Sequence, residues 1–169
     1  MTALDAFNQL APDEAATLLL PCCASDVWAA DVAAARPFAS VAALMQAADD
    51  AWQAVDDSER LQAFAAHPLI GDVELLRQKF AARANAEQGQ VLAASEETLS
   101  ALAELNQTYL DKFGFIFIIC ATGKSADEML AQLRARLPND RDQEIANAAR
   151  EQAAITRLRL AQTIEDGPT

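Results

Sequence analysis

One histidine, one tyrosine, three cysteines and five glycines in 169 residues leave little material for several common kinds of site. The single histidine is His67, and no pair of cysteines stands at ligand spacing, so no metal centre is expected. The cysteines are Cys22, Cys23 and Cys120; two are adjacent, no CxxC occurs, and the odd count makes a poor disulfide framework. That usage suits a reducing, cytoplasmic setting. Basic side chains are also scarce, 13 against 25 acidic, which gives a net charge of −12 and a pI near 4.3. A surface of that sign repels nucleic acid and anionic lipid, and neither is expected as a partner. Long hydrophobic runs are missing too. The longest, Phe115 to Ala121, is far short of the roughly 20 residues that span a bilayer. Met1 to Leu10 carries Asp5 and no basic region, so no signal peptide is expected, and Glu165 to Thr169 contains no targeting tripeptide.

What is present is alanine, the commonest residue, in a chain that is 52% hydrophobic. Alanine is the best helix former, and a chain of this length can bury a core without staples. The expectation is an all-α fold: one compact multi-helix domain of about eight helices over residues 1–169, with the last four or five residues frayed. Pro12-Asp13-Glu14 opens a helix to about Leu20. Ser25 or Asp26 caps one to about Ala35, and Ser40 caps one from Val41 to about Val55. Asp57 or Ser58 caps another that ends near Ala66, because His67 precedes Pro68. His67-Pro68-Leu69-Ile70-Gly71-Asp72 reads as a loop between helices. A helix from Val73 to about Arg83 follows, then one or two turns from Ala86 to Leu92. Ser95-Glu96-Glu97 starts the clearest amphipathic helix, with Leu99, Leu102, Leu105, Tyr109 and Leu110 on one side and Gly114 as its stop. Phe115 to Cys120 has the composition of a strand and nothing to pair with, and reads as an extended or short helical buried segment. Ser125-Ala126-Asp127-Glu128 is a capping box, its helix ends before Pro138, and Asn139 or Asp140 starts a final helix to about Ile164.

Few constellations carry chemistry. Gly123-Lys124-Ser125 invites a phosphate-loop reading, but the glycine required five residues before Gly123 is Ile118. Cys22 and Cys23 have no basic neighbour to activate them and read as packing residues. There is no GxSxG. His67 is different, because Pro68 and Gly71 fix an irregular backbone around it and an imidazole suits proton transfer near neutrality. By themselves Glu87-Gln88 is a solvated helix face and Arg159 a snorkelling arginine.

Taken together with the run Phe113-Gly114-Phe115-Ile116-Phe117-Ile118-Ile119-Cys120-Ala121, these three sites resemble the OHCU decarboxylase family (OHCU is 2-oxo-4-hydroxy-4-carboxy-5-ureidoimidazoline). The resemblance runs from Ala11-Pro12 to Leu158-Arg159-Leu160. It implies a cofactor-free, all-α homodimer of bacterial type that converts OHCU to (S)-allantoin and CO2. It further implies that His67 is the catalytic acid/base and that Glu87 and Gln88, the backbone from Phe117 through Ile118, Ile119 and Cys120 to Ala121, and Arg159 line the substrate pocket, beside Pro68 and Ala84. Family members commonly carry serine where this chain has Ala84, so one hydroxyl contact is missing or is supplied by Asn85 or a water. A basic residue often follows the proline that matches Pro68; here it is Leu69. Arg157 lies two residues from Arg159, and the family's Leu-Arg-Leu favours Arg159.

The chemistry fits these residue types. Loss of CO2 leaves an electron pair on carbon, and in OHCU the carboxylated carbon adjoins a ring C=N that can accept it. The remaining tasks are orientation, proton control and support of charge. Two rival readings stand beside this one: a decarboxylase of a related ureide, kept open by Ala84, and a non-catalytic helical interaction module.

Overall fold

Side-chain caps start seven of the eight helices among the described residues. The structure, a computed structural model, describes residues 1–67 and 95–165, and among the described residues it contains eight helices and no strand. Helix α1, Ala3–Gln9, begins with a reciprocal box in which Thr2 Oγ1 accepts from the Asp5 N–H and the Asp5 carboxylate accepts from the Thr2 N–H. Helix α2, Pro12–Leu19, has proline in its first turn followed by Asp13 and Glu14. Serine or aspartate oxygens cap α3 (Asp26–Ala34, Ser25), α4 (Val41–Ala54, Ser40) and α5 (Asp57–Ala65, Asp56). They also cap α6 (Glu96–Phe113, Ser95) and α7 (Ala126–Arg136, Ser125). Helix α8, Arg141–Glu165, starts where Asp140 Oδ1 accepts from the Gln143 N–H at 2.7 Å.

Most of these boundaries follow the sequence reading, with three differences. Helix α1 was not expected. The α5 cap is Asp56 rather than Asp57 or Ser58. At α7 the Ser125 oxygen accepts from the Glu128 N–H at 3.1 Å, but the return bond to the Glu128 carboxylate is not among those formed by the described residues. Of the two caps the sequence offered for α8, Asn139 or Asp140, Asp140 is the one used, while the Asn139 amide donates to Glu144. The predicted loop from Pro68 to Asp72, the helices over Val73–Arg83 and Ala86–Leu92, and the frayed end lie outside the described residues.

Packing divides the chain into two compact units that share α8: Met1–Ala66 with Ala149–Thr169, and His67–Ala148. In the first, α2 packs on α3 and α3 on α4. Trp28 is fully buried, and its indole donates to the Ala48 carbonyl at 3.0 Å. Trp52 donates to the Ala149 carbonyl at 2.9 Å and meets the Phe64 ring edge-on. A buried aromatic ring of this kind costs about 3–5 kcal/mol to truncate to alanine. Arg36 collects the carbonyls of Phe7 and Leu10 at the end of α1 and of Ala33 in the last turn of α3, so one guanidinium satisfies acceptors at two helix ends.

In the second unit, α6 packs on α7. Leu99, Leu102, Phe113, Ile118, Met129, Leu130, Leu133 and Ile145 are buried there. Gly114 ends α6 at φ +81°, the left-handed conformation of a helix stop. The chain then runs without helix or strand from Ile116 to Ala121.

Candidate active site

His67 follows immediately on Ala66, the C-terminal cap of α5, and sits half-buried in a bend. The helix stops there because a residue preceding proline is driven out of the α region. Pro68, Ala84, Glu87 and Gln88 lie outside the described residues.

The Phe117–Ala121 segment is described throughout. Ile118 is buried, and Phe117, Ile119, Cys120 and Ala121 are half-buried. Having neither helix nor sheet, the segment takes its shape from side chains that reach its backbone. The Ile118 carbonyl accepts from Arg136 Nη1 at 2.8 Å, and the Cys120 carbonyl accepts from Lys124 Nζ at 2.8 Å. Lys124 therefore closes a turn on its own chain, which is what Gly123-Lys124-Ser125 does here instead of cradling phosphate. Among the described residues, no partner accepts from the backbone N–H groups of Phe117, Ile118 or Ile119.

Arg136 belongs to a buried polar cluster that the sequence reading missed. Its Nε donates to Glu144 Oε1 at 2.7 Å, and its guanidinium lies 4.5 Å from the centre of the Phe117 ring. Glu144 has no exposed surface and accepts from four donors: Arg136, the Tyr109 hydroxyl at 2.6 Å, Asn139 at 2.9 Å and Asn147 at 2.7 Å. Burial pushes the Glu144 carboxyl up, but donation from Asn139, Tyr109, Asn147 and Arg136 outweighs it, and the net direction is down. Burial, and then donation to Glu144, push the Tyr109 phenol up. Tyr109 also meets the Phe115 and Phe117 rings edge-on and the Phe113 ring at a tilt, so ring contacts and hydrogen bonds converge on one end of the irregular segment. No local pattern announces this cluster. Its members stand far apart in sequence, and each is ordinary for a helical chain.

Arg159 and Arg157, both on α8, differ in their partners. Arg157 is exposed and ion-paired with Asp49, which pushes the guanidinium pKa up. Arg159 is half-buried and donates to the Pro21 carbonyl at 3.2 Å; among the described residues it forms no ion pair. Beside it, burial pushes the Cys22 thiol up and the Cys23 thiol up to about 12, which agrees with packing roles. No disulfide joins the three cysteines. His67 and Phe117–Ala121 belong to one unit and Arg159 to the other.

Among the described residues no cluster of His, Cys, Asp or Glu could hold a metal ion, and no helix is long and apolar enough to cross a membrane. A cleft of about 410 Å3 in the first unit is lined by Asn8, Asp13, Ala30, Arg36 and Pro37 and by none of the predicted site residues.

The fold is that of an all-helical carboxy-lyase family, as comparison with known proteins makes plain. A family model described as OHCU decarboxylase matches residues 8–161. The chain belongs to the OHCU decarboxylase family. It is 40% identical over 148 residues to the uric acid degradation bifunctional protein TTL of Arabidopsis thaliana, covering 86% of this chain and 46% of that protein. The chain thus spans about half the length of that relative. It is 31% identical over 137 residues to a 2-oxo-4-hydroxy-4-carboxy-5-ureidoimidazoline decarboxylase of Haloferax volcanii, covering 80% of each. A crystal structure of OHCU decarboxylase in the presence of (S)-allantoin superposes with a TM-score of 0.71 at 37% identity, covering 86% of this chain and 95% of that one.

Proposed function

We propose that this chain removes CO2 from OHCU to give (S)-allantoin in urate degradation, with His67 as the acid/base. The observation that carries the reading is the family match over residues 8–161, joined to the likeness to a decarboxylase structure over nearly its whole length. His67 exchanges a proton with the substrate's hydroxyl or ring as the carbon–carboxyl bond breaks. The electron pair passes into the adjoining ring C=N, the substrate's own sink, so no cofactor is called for, and a proton then returns to the ring carbon from one face to give the single enantiomer. Glu87 orients His67 or takes the ureido N–H groups, and Gln88 supplies amide contacts beside Pro68 and Ala84. The backbone of Phe117, Ile118, Ile119, Cys120 and Ala121 grips the ring edges; the N–H groups that find no partner among the described residues support this. Arg159 supplies a cation for the anionic substrate, which a protein of net charge −12 needs. Residues 1–169 act as one OHCU decarboxylase domain, since the family match runs through both units. The assembly is a homodimer in the cytoplasm, and the buried Cys22 and Cys23 thiols suit that reducing compartment.

The test uses OHCU generated in situ from urate, with circular dichroism following chiral allantoin against the racemic background of spontaneous decay. Wild-type protein should give rapid growth of a single-enantiomer signal. His67→Ala should lose most of the rate while keeping its helical spectrum. Racemic product at the background rate from folded wild-type protein would sink the reading in favour of another ureide or an interaction module. Near-normal turnover by His67→Ala would remove the role assigned to His67.

A further inference from the structure

We propose that Arg136 is a positioning residue for the decarboxylation, fixing the Phe117–Ala121 backbone at the substrate; the inference rests on the reading of that segment as part of the substrate pocket. A segment with neither helix nor sheet bonds cannot hold its donors in place by itself, and a ligand that must order it loses affinity by that amount. Arg136 supplies the missing constraint from two directions. Nη1 holds the Ile118 carbonyl at 2.8 Å, and the guanidinium carbon lies over the Phe117 ring, 4.5 Å from its centre.

The guanidinium is itself held. Arg136 is the last residue of α7 and only 8% exposed, and Nε is bonded to a Glu144 carboxylate whose other donors are Tyr109, Asn139 and Asn147. Rigid groups at the C-terminal end of α7 and the first turns of α8 are thereby connected to two consecutive residues of the segment. Stability alone does not require a buried ion pair, because apolar replacements of similar shape often serve as well. A planar fork that binds a carboxylate at one edge and a carbonyl at another does something such replacements cannot. Lysine keeps the charge but is a point donor without the fork or the flat face, so Arg136→Lys should not substitute.

The experiment compares wild type, Arg136→Lys and the double variant Arg136→Met/Glu144→Gln, which removes both buried charges together so that neither is stranded. Three readouts are taken on each: the kcat and KM split on in-situ OHCU, the enantiomeric excess of the allantoin, and amide hydrogen exchange of the peptide covering residues 115–121. Folding is followed by helical circular dichroism and a cooperative melt; where Arg136→Lys fails to fold, the double variant carries the comparison. The expected result for a folded variant is a KM raised at least tenfold, a reduced enantiomeric excess and roughly tenfold faster exchange in the segment. A variant with a lowered Tm but unchanged KM, enantiomeric excess and exchange would show Arg136 to be structural only and overturn the proposal. Racemic product at the background rate from wild type would defeat the proposed function instead. Exchange alone then decides whether Arg136 fixes the segment, and unchanged exchange overturns that as well.

Discussion

Arg157 and Arg159 stand two residues apart on α8, and their partners separate them more clearly than their sequence context does. Arg157 spends its charge on Asp49 at the surface, an exposed pair worth about 0–1 kcal/mol. Arg159, the cation proposed for the anionic substrate, is half-buried and among the described residues has no carboxylate beside it. Steady-state kinetics on OHCU should show Arg159→Ala raising KM by tenfold or more and Arg157→Ala changing it less than about twofold. The reverse pattern would transfer the substrate contact to Arg157. Glu144 makes the complementary point about stability. Glu144→Ala strands a buried guanidinium and removes the acceptor of three further donors, and breaking one side of such a pair costs about 3–5 kcal/mol. Urea unfolding should register that loss as a lower midpoint; a change under 1 kcal/mol would mean that water replaces the carboxylate at no cost.

The elements show which information is local. Gly114 ends α6 at φ +81°, and a Cβ built there meets nothing within 4 Å. Crowding therefore adds nothing to a Gly114→Ala change, and only the left-handed backbone is penalised, at about 1–2 kcal/mol. A thermal melt of Gly114→Ala should fall accordingly, and an unchanged melt would show that the α6 stop relaxes freely. Gly114 was legible in the sequence for the same reason that Ser25, Ser40, Ser95, Pro12 and Pro138 were: each acts on its own few residues. Helix α1 is equally local, since Thr2 and Asp5 stand at capping-box spacing. At α5 three consecutive oxygen-bearing side chains, Asp56-Asp57-Ser58, compete for one cap, and Asp56 takes it. His67 and the Phe113–Ala121 run, the residues proposed for the site, carry a local motif in the sequence. The cluster that holds the run carries none, because Tyr109, Arg136 and Glu144 meet only when α6, α7 and α8 pack. Tyr109 was placed correctly on a buried stripe, but nothing local shows that its hydroxyl has a carboxylate waiting.

For the whole molecule, two electrostatic effects should shape stability. At neutrality the net charge of −12 makes the compact state repel itself. Added salt should therefore raise stability near pH 7 by screening that repulsion. Glu144 acts through its proton. Its carboxyl is depressed in the folded protein below the ordinary 4.5, so its contribution is present above that value and is lost as pH falls through the folded pKa. Below about 4.5 stability should drop, because the unfolded chain then takes up a proton that the folded one resists. Melts followed by circular dichroism, against salt at pH 7 and against pH at fixed ionic strength, would trace both effects. Glu144→Gln should keep the salt dependence, which follows the total charge, and lose much of the acid drop while starting from a lower Tm. If Glu144→Gln falls as steeply as wild type below pH 4.5, the acid limit is set by the other 24 acidic residues together and not by the buried carboxylate that anchors Arg136.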